Sequence, residues 1–366
     1  MTPGDITFVL AFTSILIYIY FVFWLWNGIK KARMISKVES VGTLLPLSIL
    51  IAAHNEEGSI ALTLDSLKEQ LYPEAKFEII LVADRCSDAT VEIAKKYHSR
   101  LPMLKIVEIE QSPPNFSPKK YAIQTAIKAA ENNNFILLDA DCQLTPGALG
   151  CFNDYLNGGM EAVVSIPKFM KFPSILYNYY LPERVLSWGI AAAAIGNNIP
   201  FLAFGPVWSY TRNAYQMAGG MERISHILSG DDDLLLYQMG KSRQPIAFCF
   251  NPHGWGETRA PHTFGEFIKQ RRRHHSAGKF YATKVQLGYL AFHLSNLMLW
   301  ILPLIKPILL IVLLMKIIVD FAIIFRIGRI FHEKLNVIQG LFFEIGLILH
   351  HIFVAPLGFI GKIRWR

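Results

Sequence analysis

Residues 47–58 read LSILIAAHNEEG, an unbroken apolar run of strand length that stops at His54, Asn55, Glu56, Glu57 and Gly58. A strand that is apolar on both faces suits the interior of a parallel sheet covered by helices. Downstream, Ile60, Leu64, Leu67 and Leu71 recur at three- and four-residue spacing and predict a helix. The pattern then repeats. Residues 77–83 (FEIILVA) form a second strand ending at Asp84, and Asp88 or Thr90 is placed to cap a helix carrying Val91, Ile93, Ala94 and Tyr97. A weaker strand covers 104–110, a helix covers 121–130, and 135–138 (FILL) is a fourth strand ending at Asp139. Strands alternating with helices predict right-handed βαβ units, hence an α/β domain with a mostly parallel sheet. Ligands of such sheets bind beyond the carboxyl ends of the strands. His54, Asn55 and Glu56, then Asp84, then Asp139 and Asp141 all fall there.

Away from this middle the chain changes character. It has 366 residues, 52% hydrophobic and 17% charged, and a net charge of +8. Disorder is excluded, and the charged fraction lies below the ~25% of ordinary soluble domains. The stretch 6–29 holds no charged residue but includes Phe8, Phe12, Phe21, Phe23, Trp24 and Trp26. At ~1.5 Å per residue it spans a hydrocarbon core of ~30 Å. Lys30, Lys31, Arg33 and Lys37 follow it, which predicts an uncleaved anchor with everything after Lys30 in the cytoplasm. Near the other end, 285–305 and 307–325 predict a membrane hairpin turning near Lys306 and returning to Arg326, Arg329 and Lys334. The segment 335–360, with Glu344, His350 and His351, stays open. As a span it puts Lys362, Arg364 and Arg366 outside, against the charge rule; the alternative is a re-entrant or interfacial segment. The expected division is 1–40, an anchor with a basic juxtamembrane segment; 41–284, a cytoplasmic domain; and 285–366, a membrane region with two or three hydrophobic helices. Cys86, Cys142, Cys151 and Cys249 make no C-x-x-C pair or zinc pattern and read as reduced, buried thiols.

Four clusters carry chemistry. Asp139-Ala140-Asp141 can present two carboxylates to one divalent ion and the diphosphate it holds; the same pattern also suits a turn with a helix cap. Gly230-Asp231-Asp232-Asp233 crowds three carboxylates, which raises at least one pKa toward what a general base needs; a solvated helix N-terminus stabilised by the macrodipole is the alternative. Gln270-Arg271-Arg272-Arg273-His274-His275 is a lipid-headgroup patch or a diphosphate site, since Arg forks match phosphate oxygens. It lacks the aromatic interleaving of a nucleic-acid surface, so no nucleic-acid partner is expected. Lys119, before the helix over 121–130, can neutralise phosphate charge, although taken alone it reads as a solvated lysine. Between 167 and 210 lie Phe169, Phe172, Tyr177, Tyr179, Tyr180, Trp188, Phe201, Phe204 and Trp208, which serve as core or as an interfacial belt.

Taken in order, these motifs over 47–279 resemble the family 2 glycosyltransferases of the GT-A fold, in their membrane-bound branch. IAAHNEE (51–57) looks like the opening nucleotide-binding motif, and VADRCSDAT (82–90) like the second, whose Asp84 would contact uracil. Asp139 and Asp141 match the metal-binding D-x-D, Gly219-Gly220 the turn bordering the acceptor, and Gln270 to His274 the Q-x-x-R-W motif. His274 replaces the usual Trp, which weakens the case for a long polysaccharide product. Asp231-Asp232 takes the place of a Glu-Asp pair, with Asp232 at the base position and the choice between the two open. The resemblance implies an inverting, metal-dependent transfer from a nucleotide-diphosphate sugar, a UDP-sugar, to a lipid or lipid-linked hydroxyl. It implies a donor site of Ala53, His54, Asn55, Glu56, Asp84, Lys119, Asp139, Gln270, Arg273 and His274, with Mg2+ or Mn2+ on Asp139 and Asp141. It places the protein in a bacterial inner membrane with the catalytic domain cytoplasmic. A processive polysaccharide synthase and a non-catalytic membrane protein that kept the fold are the alternatives.

Overall fold

The computed structural model describes residues 3–39, 42–171 and 174–360; Phe172, Lys362, Arg364 and Arg366 of the expectations above lie outside them. The chain runs α1 (Pro3–Ile35), β1 (Leu47–Ala53), α2 (Ile60–Lys68), β2 (Phe77–Asp84), α3 (Thr90–Lys95), β3 (Leu104–Ile109), α4 (Pro118–Ala129) and β4 (Asn134–Asp139). It continues β5 (Cys142–Leu144), α5 (Ala148–Asn157), β6 (Ala162–Val164), β7 (Pro167–Phe169), α6 (Ile175–Gly196), β8 (Val207–Thr211), α7 (Arg212–Met217) and α8 (Asp233–Lys241). It ends β9 (Ile246–Phe248), β10 (Gly256–Thr258), α9 (Phe264–Ala277), α10 (Thr283–Ile305), α11 (Leu310–Ile330) and α12 (Val337–Leu349). These elements form two compact units. One draws on Ala32–Lys171 and Asn198–Ala260, the other on Met1–Lys31, Phe172–Asn197 and Pro261–Lys362.

In the first unit a seven-stranded sheet has the order β3-β2-β1-β4-β8-β6-β9. β1, β2, β3 and β4 are parallel, as the alternating pattern predicts, while β8 runs antiparallel between β4 and β6. Every residue of β2 is buried, and β1 is buried but for Ala52, which accounts for their unbroken apolar sequences. Ala53 pairs with Ala83 and Ala52 with Asp139, so the three polar strand ends share one edge. A three-stranded sheet, β5-β10-β7, follows the same edge in sequence.

Three helices differ from their sequence patterns. Helix α2 buries Ile60, Leu64 and Leu67 but stops before Leu71, which is 80% exposed beyond its end. Helix α4 starts at Pro118, whose missing N–H and fixed φ suit a first turn. At α3 the N-cap position is Ala89, without a side-chain cap, and neither Asp88 nor Thr90 occupies it; Asp88, one residue earlier, accepts the Thr90 N–H on Oδ1 at 3.0 Å.

Among the described residues four helical stretches are long and apolar enough to cross a membrane: Asp5–Ile35, Thr283–Ile305, Pro307–Ile330 and Val337–Phe359; all but 32–35 belong to the second unit. Inside it Lys316 of α11 pairs with Asp320 and with Glu344 of α12, each at 2.6 Å, and Tyr18 of α1 donates to Asp320 at 2.8 Å. Helix α6 packs Trp188 edge-on against Phe331 and ends at Asn197, whose amide donates to the Trp24 carbonyl. It therefore contributes to this unit although the residues before and after it belong to the first.

Candidate active site

The edge formed by β1, β2 and β4 carries the polar groups. Two loops there are laced to one another. Asn55, in the left-handed region at φ 57°, accepts the Ser87 N–H on its side chain at 2.8 Å. The Glu56 N–H donates to Thr90 Oγ1 at 2.7 Å and the Glu57 N–H to Asp88 Oδ2 at 3.0 Å. His54 Nδ1 lies 2.5 Å from the Asp84 carbonyl oxygen, to which it donates, and the Cys86 thiol rests on the Ala53 carbonyl. Asp84 is buried with both carboxylate oxygens held by Arg85, at 2.8 and 2.9 Å. The motif therefore presents an Asp84–Arg85 pair, and Arg85 was absent from the sequence expectation.

Lys119, at the start of α4, joins the two acidic motifs. Its Nζ is 2.8 Å from Asp139 Oδ1 and 3.0 Å from Asp231 Oδ2. Burial disfavours its charge, but Asp139 and Asp231 more than offset that and hold it firmly protonated. Asp231 and Asp232 stand at the start of α8 and titrate apart. Burial pushes Asp232 up, and the Asp231 charge beside it adds to this, to about 6. Burial acts on Asp231 too, but the Lys119 ammonium outweighs it and draws that carboxyl below its usual range. The pair thus divides into an ion-paired Asp231 and a weaker acid, Asp232, suited to taking up a proton near neutral pH. Asp232 Oδ1 also accepts the Asp233 N–H.

These groups surround Gly205. A Cβ at that position would lie 3.3 Å from Asp232 Oδ2, 3.3 Å from Lys119 Nζ and 3.7 Å from Asp139 Oδ2. Three motifs far apart in sequence thus converge on one small space, kept open by the lack of a side chain. Asp141 lies two residues beyond Asp139. Burial, then the charges of Asp139 and Glu56, push it up to about 6. A divalent cation would relieve that crowding, so the donor set fits one. Among the described residues no three His, Cys, Asp or Glu side chains converge as a complete cage, so the remaining ligands would come from a bound diphosphate or water.

Lys120 was missed by the sequence expectation. It is fully buried, and its three N–H groups go to the carbonyls of Ile224, Ile227 and Ser229 at 2.8–2.9 Å. Ser117 adds its N–H to the Ser225 carbonyl and its hydroxyl to that of Leu228. The start of α4 therefore holds both the site, through Lys119, and the loop leading to Asp231, through Lys120. A signal existed: Lys120 shares the helical spacing of Ile123, Gln124 and Ile127, the buried face of α4.

Gly219 and Gly220 sit at φ 86° and 61° after α7, with N–H groups bonded to the carbonyls of Gln216 and Tyr215. Glycine is needed there to end the helix in the left-handed region. Gln270, Arg273 and His274 lie on α9 in the other unit. Beside them, Arg271 pairs with Glu183 at 2.5 Å.

Residues 48–215 match the family model described as glycosyl transferase family 2. The probable glycosyltransferase YdaM of Bacillus subtilis is 28% identical over 176 residues, 44% of this chain and 41% of that protein. The beta-monoglucosyldiacylglycerol synthase of Trichormus variabilis is 30% identical over 115 residues, 30% of this chain and 23% of that one. The chain thus spans less than half the length of these curated relatives. The mannosyltransferase PcManGT of Pyrobaculum calidifontis, solved with GDP-Man and Mn2+, superposes with a TM-score of 0.55 at 14% identity, covering 95% of this chain and 94% of that one. The match to PcManGT shows a shared fold, which is GT-A-like.

Proposed function

We propose, taking residues 48–215 as a glycosyl transferase family 2 domain, that the protein is a membrane-bound, inverting glycosyltransferase. It moves a sugar from a nucleoside-diphosphate donor, a UDP-sugar, to a hydroxyl of a lipid or lipid-linked acceptor. The observation that carries this reading is the meeting of Lys119, Asp139 and Asp232 about Gly205, at the carboxyl edge of a parallel sheet. The donor's base and ribose lie along the laced loops of Ala53, His54, Asn55, Glu56 and the Asp84–Arg85 pair. Its diphosphate lies at Asp139 and Asp141; Gln270, Arg273 and His274 are donor-site candidates on the strength of the sequence resemblance. Asp139 and Asp141 would hold a divalent cation, Mg2+ or Mn2+, which when bound would offset negative charge on the leaving diphosphate. Lys119 adds a fixed positive charge there. The acceptor hydroxyl, bordered by Gly219 and Gly220, gives its proton to Asp232 as it attacks the anomeric carbon from the face opposite the leaving group. Asp231 does not compete for that proton, because its charge is engaged by Lys119.

A lipid acceptor is supported by a relative whose name specifies diacylglycerol and by the four apolar helical stretches. The cytoplasmic face of a bacterial inner membrane supplies nucleotide sugars and acceptor together. The test is release of nucleoside diphosphate from a panel of nucleotide sugars, with and without lipid acceptor and divalent cation. Turnover that needs the cation and is lost in Asp232→Asn supports the reading. Absence of turnover with every donor, in protein shown to be folded, overturns it.

A further inference from the structure

We infer that residues 337–360 do not cross the bilayer: they dip into it and return, forming a surface that lies on the lipid leaflet nearest α9. This rests on the reading of α1, α10 and α11 as membrane crossings. Helices α10 and α11 form a hairpin whose turn, 306–309, packs Leu309 with Leu302 and with Ala11 of α1. The start of α10 at Thr283 and the end of α11 at Ile330 therefore share the opposite side. Helix α9 ends at Ala277, a few residues before Thr283, and is on that side too. So is Val337, which opens α12 shortly after α11 ends.

The other end of the segment is fixed to α9. The Arg272 guanidinium donates through Nε to the Leu357 carbonyl at 3.1 Å and through Nη2 to the Ile360 carbonyl at 2.6 Å. Gly358 lies so close to α9 that a Cβ there would come within 2.4 Å of His275 Cβ. His275 and His350 meet through their Nε2 atoms at 2.6 Å. Both ends of 337–360 thus sit on one side of the hairpin, while between them Glu344 reaches Lys316, in the half of α11 nearer the turn, and His351 stacks on His293 within α10.

The path is set by these contacts and not by length, since α12 (13 residues) and the turns after it together make a stretch, Val337–Phe359, long enough to cross. Beyond Leu349 the coil widens into a π-type turn over His350–Val354 and then tightens over Ala355–Phe359. Ile338, Leu341, Ile345, Leu349 and Ile352 recur at three- and four-residue spacing and are all exposed. Such a stripe lies against acyl chains while the polar side faces protein. The lipid bilayer is its partner, because the stripe continues the exposed apolar surface of the crossing helices.

The test uses the full chain in a Cys86→Ser background, the other cysteines being buried. Ile360→Cys, Lys306→Cys and Lys31→Cys are each exposed to a membrane-impermeant maleimide in intact and in permeabilised cells. The expected result is that Ile360→Cys labels as Lys31→Cys does, only after permeabilisation, while Lys306→Cys labels in intact cells. If Ile360→Cys instead follows Lys306→Cys, the segment spans and the inference fails. If all three label alike in both conditions, the crossing premise itself fails. Fluorescence of a green fluorescent protein fused after Arg366 is an independent readout, bright if residue 360 shares the side of Lys31.

Discussion

At Asp232 the chemistry is legible in one substitution. Asp232→Asn keeps size and hydrogen bonding but cannot take a proton, and general-base catalysis is worth roughly 10²–10⁴-fold. A loss of that order in kcat/KM, with an unchanged thermal midpoint, is the expected outcome. On the proposed mechanism Asp232 must be ionised to act, and its pKa is raised to about 6. Donor turnover should therefore climb as pH rises through about 6 and level off above neutrality, which a pH–rate profile checks. Gly205→Ala tests the convergence from the other direction. Its methyl group would press on Asp232 and Lys119, so activity should fall at least tenfold while the sheet stays folded, measured by turnover and circular dichroism. The acidic motifs could be read from sequence because carboxylates crowded at strand ends are costly without a task. Gly205 could not, since nothing adjacent to it in sequence announces what approaches from β4, α4 and α8. Asp84 lay between the two: its place at a strand end was legible, but not the two hydrogen bonds its carboxylate accepts from Arg85.

Helix α4 shows the same contrast among elements. Its amphipathic spacing was readable from Ala122 to Ile127, yet its first turn does the joining. Lys120→Met would leave three carbonyls without their donor in a buried place, and each costs ~1–3 kcal/mol. A destabilisation of about 3 kcal/mol or more is expected, seen as a lowered midpoint in denaturant, and Lys120→Arg should recover only part of it. The long strands β1, β2 and β4 declared themselves by their apolar runs. The three-residue strands β5, β6, β7, β9 and β10 did not, because too few positions exist to show a period. Their pairing is dictated by which neighbours the chain brings alongside, which is tertiary information.

Across the whole molecule, sequence showed two apolar ends and a polar middle, and the structure arranges them in a different grouping. Residues 174–197 and 261–284, from the middle of the chain, pack with the terminal helices. Helix α6 gave little sign of this, being an apolar helix inside an α/β pattern, where burial in a core looks the same. Within that unit the Lys316 network is expected to matter for stability. Lys316→Met would strand Asp320 and Glu344 in an apolar place, and breaking a buried pair costs ~3–5 kcal/mol. The thermal midpoint in detergent should drop sharply, and adding Glu344→Gln should restore part of it. The sheet order also has a consequence in time. β4 carries Asp139, but the strand that covers its second edge, β8, is synthesised only after α6. At ~5–20 residues per second, the ribosome needs several seconds to pass from Asp139 to Thr211. Throughout that interval the nascent chain holds an unpaired edge beside Asp139 and the other strand ends of the candidate site. Slow codons or chaperone shortage between β4 and β8 would fall on the most aggregation-prone moment in the life of the protein.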